Sequence, residues 1–305
     1  MLWIALAVAA ATAPEVRFAA GGEAGPTSYG VVELGVRSGP WSAELLTDTV
    51  DLRWASSSDR GRSWIGLRGV AATAGFFLFP WEEGRPAPER AWQARSLTLD
   101  AGRLRYARGG WYGGGRVAAS GWIFAGTGGS YDPPAPTVVG TADALGGLWT
   151  DRWRGWGRLG LDVGDGAVAP HASFELLHHD DADAGLVLAI RAGVGYGQTD
   201  VTRTRLGGSS PYFVPLVGFA AAEHRVEDYA ALRVGASFDA GVPAFSLYTD
   251  AAAFDGDVGA GFGARVAVEG ERWFARAEGG VAPWVPRGSR RGDGGVFVWF
   301  GRGFP

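Results

Sequence analysis

The densest group of potential metal ligands or proton carriers is His178-His179-Asp180-Asp181-Ala182-Asp183. Imidazoles and carboxylates at this density could hold a divalent cation. Adjacent histidines on a strand point to opposite faces, so both reach one ion only where the chain turns. The run reads as a solvated turn, and no metal is expected. A second constellation is His171 with Ser173, which share one face of a strand. A lipid hydrolase would need such a pair plus an orienting polar group. No acid on a second strand can be nominated, and His-x-Ser spacing arises easily by chance, so no catalytic residue is assigned. The remaining charges that could act together are Arg191, Arg233, Asp239, Arg265, Arg276 and Glu278. Each lies on the small or charged face of an alternating segment, where it could line an aqueous channel or pair across strands. Arg265 and Arg276 lie on neighbouring segments with Glu278 close by.

Composition removes other chemistries. The chain has no Cys, which excludes disulfides, Cys-ligated metals and thiol catalysis, and no cofactor is expected. Its basic residues are all Arg, dispersed against a formal net charge of −4, so no basic patch points to nucleic acid.

The elements that must position these side chains are strands. From Tyr229 to Phe304 one pattern recurs five times: about ten alternating residues, then a break bearing Gly, Asp or Pro. In Gly259–Val268 one face is Ala260, Phe262, Ala264, Val266 and Val268, and the other is Gly, Gly, Gly, Arg265 and Ala267. Serial repetition of this kind is the signature of an all-β, transmembrane antiparallel β-barrel, with apolar faces meeting lipid and small or charged faces lining a lumen. The 51 Gly fit close backbone approach on the inner face, and the 14 Trp fit interfacial aromatic girdles. The apolar segment 1–13, ending Ala11-Thr12-Ala13, reads as a signal peptide. Residues 14–305 then form the barrel, placed in the bacterial outer membrane among its lipids.

Sixteen strands are expected. Ala43–Trp54 reads as one of them, and Trp92–Asp100 and Arg103–Gly109 read as two. Breaks after odd strands, such as Ser56–Gly61, Ala125–Thr141, Gln198–Asp228 and Ala282–Gly294, are long. Those after even strands, such as Ser38–Trp41 and Gly270–Glu271, are short, as in barrels with short periplasmic turns. Ala71–Ala91 breaks the rule as a long periplasmic turn. The loop 198–228 is expected to fold into the lumen, where Gly193, Gly195, Gly259, Gly261 and Gly263 make room.

The region from Arg205 to Pro305 resembles the C-terminal barrel of the bacterial surface-antigen superfamily, the BamA-like outer-membrane assembly factors. Leu206-Gly207-Gly208 opens a long loop after the eleventh strand, and Pro215-Leu216-Val217-Gly218-Phe219 ends in the Gly-aromatic pair of that family's loop-six signature. Leu247-Tyr248-Thr249-Asp250-Ala251-Ala252 and the Gly-alternating Val258–Arg265 resemble the strands that follow, and the last strand carries aromatics at Phe300 and Phe304. The resemblance implies sixteen strands with five after the long loop, and insertion through the outer-membrane assembly machinery. It also implies an Arg before the Gly-aromatic pair, reaching an Asp that matches Asp250. Val217 stands at that position, so a different cation is required, and Arg225 and Arg205 are the candidates. The periplasmic modules of the assembly factors are missing from the pattern, which suggests a barrel-only member. The expected function is a non-enzymatic barrel handling lipid or polypeptide. The alternatives are a general diffusion pore, a barrel lipid hydrolase and a secreted soluble all-β protein. No protein partner can be named.

Overall fold

A computed structural model describes residues 14–24, 29–47, 49–70, 77–78, 81–82, 85–86, 92–126, 135–164, 167–178, 184–195, 204–207, 214–219, 223–239, 243–270, 273–286 and 295–302. The segment read as a signal, together with His179–Asp183, Gly208 and Phe304, lies outside them.

Among the described residues, sixteen strands form one barrel wall. They are β1 (Glu15–Ala24), β2 (Tyr29–Ser38), β3 (Trp41–Leu46), β4 (Thr49–Ser58), β5 (Gly61–Val70), β6 (Trp92–Tyr106), β7 (Trp111–Gly126) and β8 (Thr137–Trp149). The rest are β9 (Trp153–Gly164), β10 (Ala167–His178), β11 (Ala184–Gly195), β12 (Asp228–Asp239), β13 (Ala244–Phe254), β14 (Asp257–Glu269), β15 (Trp273–Trp284) and β16 (Val296–Arg302). Each pairs antiparallel with its neighbours in sequence. β1 also pairs with β16, from Ala24↔Val296 to Phe18↔Arg302, which closes the sheet and leaves no edge. Across that seam Phe18 and Phe300 meet edge to face, with ring centroids 6.1 Å apart.

Alternation sorts the side chains. On β13, Ser246, Tyr248, Asp250, Ala252 and Phe254 are buried, while Phe245 and Leu247 on either side of Ser246 are exposed. Around the barrel the exposed set is apolar: Val32, Leu34, Ile65, Leu99, Val117, Leu159, Phe262 and Val298 all face outward. This is the reverse of a water-soluble sandwich, whose exposed face is polar, and it matches a wall solvated by lipid. Trp41, Trp111 and Trp273 stand exposed on the outward side at the rim of short turns, where amphipathic rings meet headgroups.

Two strand boundaries differ from expectation. Ala43–Trp54 is a hairpin, β3 and β4, with Ala43 opposite Leu52 and Glu44 opposite Asp51. The chain reverses after Thr47, at φ 47, with neither Gly nor Pro in the connection and Asp48 as the one turn-favouring residue there. Conversely, Trp92–Asp100 and Arg103–Gly109 belong largely to the single strand β6. Asp100 and Gly102, which resemble a turn, are mid-strand and face inward: Trp64 Nε1 donates to Asp100 Oδ2 at 2.7 Å, and its ring covers Gly102. The two misreadings cancel in the strand count but invert the polarity between them. With the hairpin restored, 71–91 follows an odd strand, and Ser56–Gly61 contains a short turn after an even one. The long connections 71–91, 127–136, 196–227 and 285–295 then all leave the same rim.

The wall is uneven in height. β3 has six residues and β7 sixteen.

Candidate functional site

The inner faces of β12 to β15 carry a connected polar cluster beneath the long loop. In register, Arg233 lies opposite Asp250, Tyr248 opposite Gly263, and Arg265 opposite Glu278. The Arg233 guanidinium grips Asp250 with two bonds, Nε to Oδ1 at 2.7 Å and Nη2 to Oδ2 at 2.8 Å. Its third nitrogen, Nη1, reaches Glu278 Oε1 at 2.9 Å. The Tyr248 hydroxyl donates to the same Oε1 at 2.6 Å, and its ring lies 3.9 Å from the Arg233 carbon Cζ. Arg276 Nη2 stands 3.1 Å from Glu278 Oε2. Asp250 and Glu278 are 2% and 1% exposed, so this network is almost dry. A fork-shaped guanidinium that satisfies two carboxylates is the arrangement in which buried charges are tolerated.

The cation that meets Asp250 is therefore Arg233, from the adjacent strand. The side chains of Arg205 and Arg225, and of Asp239, lie outside the described residues. Val217 still takes part through its backbone: its N–H donates to Asp250 Oδ2 at 2.9 Å. Arg265 reaches Ser246 Oγ at 3.4 Å, and Arg191 pairs with Glu175 across β10 and β11.

The loop sits on this cluster. Thr204–Leu206 and His224–Val226 pair as a short antiparallel ribbon, and Leu206 bridges to Val214. Leu206, Leu216, Phe219 and Val226 pack with Ala231, Ala252, Phe254 and Ala282 of the inner wall. Each fully buried apolar side chain of this size contributes roughly 1.5–3 kcal/mol to holding the loop. Two glycines set the fit. Gly218 has φ 85, open to glycine, and a Cβ there would strike the Val281–Ala282 backbone of β15. On β14, a Cβ on Gly261 would overlap the Val217 carbonyl oxygen. Pro215 is half-buried in the same segment, and Gly207 N–H donates to the Val214 carbonyl at 3.1 Å.

His224 is packed between Phe219, edge to face, and Phe254, tilted, with ring centroids 5.6 and 4.6 Å away. Burial lowers its pKa from 6.5 to about 4, opposed by the charge of Asp257. A detached, solvated loop would bind a proton near pH 6.5. Between pH 6.5 and 4 the detached state thus takes up the proton, and docking weakens as pH falls. We expect a probe on the loop to report docking fully at pH 7.5 and progressively less toward pH 4.5. His224→Phe should flatten that response.

The hydrolase constellation takes a different form. His171 Nε2 lies 2.7 Å from Asp143 Oδ1, and Nδ1 lies 3.3 Å from Asp162 Oδ2. Ser173 Oγ accepts from Arg158 Nε at 2.8 Å. Both imidazole nitrogens thus face carboxylates, and Ser173 is bonded elsewhere. His178 is on the outward side, against Trp153. No group of three or more metal-ligating side chains occurs among the described residues.

No family model and no curated protein matches the sequence. Solved structures do match. BamA from Haemophilus ducreyi lacking POTRA domains 1–3 superposes with a TM-score of 0.65 at 10% identity, over 95% of this chain and 70% of that one. CdiB from Acinetobacter baumannii superposes with a TM-score of 0.65 at 13% identity, over 94% of this chain and 60% of that one. The chain has the barrel fold of BamA and CdiB. At these identities the likeness is one of fold, and the chain spans less than two thirds of CdiB. Within that fold, sequence reasoning named Arg233, Asp250 and Glu278 but missed their mutual pairing and the role of Tyr248. The signal for Tyr248 was its place two residues before Asp250, on the same face.

Proposed function

We propose that this chain is a non-enzymatic barrel of the bacterial outer membrane, of the surface-antigen type, that handles lipid or polypeptide there with its lumen closed by the 198–228 loop. The observation that carries this reading is the seating of Leu216–Phe219 on β13 to β15, fixed to Asp250 through the Val217 N–H. A loop held by a dry ion network and a small apolar core acts as a stopper rather than as a constriction beside an open pore. The fold likeness to BamA and CdiB supports membership of the barrel class and entry through outer-membrane assembly machinery. The bonding of Ser173 to Arg158 favours a role without hydrolysis.

Conductance tests the stopper. The full chain in planar bilayers should give small, flickering currents, and deletion of residues 205–224 should raise them several-fold. Stable ohmic conductance from the intact chain would overturn the proposal and favour a general diffusion pore.

A further inference from the structure

The outward face of β6 reads Arg95, Leu97, Leu99, Ala101, Arg103, Arg105. Leu97 and Leu99 are strongly exposed, whereas Asp100 between Leu99 and Ala101 is buried on the inner side, which fixes the alternation. From Arg95 to Arg105 the strand advances roughly 33 Å at about 3.3 Å per residue, which at a tilt of roughly 40° is about 25 Å along the barrel axis. That length is comparable with the apolar band of about 25 Å on a membrane barrel. Arginines therefore stand at both borders of the band on this strand, with long stems able to carry their charge to the interface.

The short-turn border is the unusual one. Arg103 lies opposite Ser63 of β5 and Gly115 of β7, and Arg105 opposite Gly61 and Gly113. The directly opposite positions thus carry nothing larger than a serine side chain. Arg60 and Arg108, in the two adjoining turns, add positive charge at the same rim, against the single acid Asp59. None of these four arginines makes a side-chain ion pair or hydrogen bond among the described residues. Apart from Arg302 at the last position of β16, no other described strand residue carries a charge on the outward face at this border. A cation facing the bilayer without a protein partner is costly away from the interface and is stabilised by anionic headgroups at it.

We propose that Arg103 and Arg105, with Arg60 and Arg108 at the rim, form a binding site for the phosphate of an anionic phospholipid in the leaflet on the short-turn side. The ligand is a lipid rather than free phosphate because the two central guanidiniums project from the lipid-facing wall, beside the exposed apolar face of β6.

The test uses the full chain in detergent, incubated with phosphatidylglycerol or with phosphatidylcholine of identical acyl chains and read by native mass spectrometry. Retention of phosphatidylglycerol should exceed that of phosphatidylcholine by roughly tenfold or more, the order expected for two arginines near anionic lipid. Arg103→Gln with Arg105→Gln should abolish the preference, while the double Lys variant should keep it. Arg95→Gln, at the opposite border, should leave it intact. Equal retention of the two lipids by the unaltered protein would overturn the site, as would a preference surviving the double Gln variant. Should that variant fail to fold, salt titration of the unaltered protein decides, because a preference unaffected by ionic strength also overturns it. Displacement of phosphatidylglycerol by millimolar inorganic phosphate would refute the lipid assignment.

Discussion

Replacing Arg233 by Met is expected to destabilise the folded barrel by about 3–5 kcal/mol, the usual penalty for leaving a buried charge without its partner. Two carboxylates depend on that guanidinium, Asp250 through a bidentate grip and Glu278 through the remaining nitrogen. Glu278 keeps Arg276 and the Tyr248 hydroxyl, so the greater exposure to loss is at Asp250, which retains only the Val217 N–H among the described bonds. Urea unfolding in micelles measures the effect. Arg233→Lys should recover only part of the loss, because an ammonium has no planar fork to serve both acids. Combining Arg233→Met with Asp250→Leu should recover more, because the stranded charge is removed with its partner. If Arg233→Met unfolds at the same denaturant concentration as the unaltered protein, the network is not the stabilising element described here.

The second large effect is expected from Gly261→Val. At Gly261 the wall pairs directly with Asp250 of β13, and with β15 on either side of a bulge between Ala260 and Phe262, so the loop gives way before the barrel does and must leave. An overlap of this kind costs about 1–3 kcal/mol or more, enough to raise the undocked population roughly ten- to hundred-fold. The chain has no Cys, so Leu216→Cys, at a position with no exposure, provides a clean reporter. It should resist a membrane-impermeant maleimide in the parent and react rapidly when Gly261→Val is added. Gly259→Ala is the contrast. Its Cβ would meet the tip of the Phe219 ring at 2.7 Å, and a ring can tilt where a carbonyl in a fixed turn cannot. Equal labelling in the Gly261 variant and the parent would show that the loop is seated by something other than this contact.

Much of this architecture was legible because β11 to β16 alternate with one interruption, the bulge near the end of β15: Leu188, Ile190 and Val194 lie outward, Arg191 and Gly193 inward, and likewise through Phe300. Membrane barrels write their inside and outside on successive residues, and no tertiary context is needed to read it. The failures have the same origin. Thr47 turns the chain between β3 and β4 with no Gly or Pro, and the reversal is recorded only by the outward face passing from odd positions such as Trp41 and Leu45 to even ones such as Leu52 and Trp54. Asp100 and Gly102 look like a turn because their types suit one, whereas the lumen uses them as an acceptor and as room for the Trp64 ring. Pairing was the other hidden layer. Whether Arg233 faces Asp250 depends on the shape of the connection at 240–243, and a shift of one rung would have separated them. Strand identity is local information, but register is not.

The unequal strands have a consequence for the surrounding bilayer. A membrane of uniform thickness cannot match a wall that is six residues high at β3 and sixteen at β7. Lipids beside β3 must compress, or the cylinder must lean so that its tall side crosses obliquely, at a cost of fractions of a kcal/mol per ångström of mismatch. The low sector lies two strands from the β1–β16 seam, so the strained patch of membrane adjoins the place where the ring of strands closes.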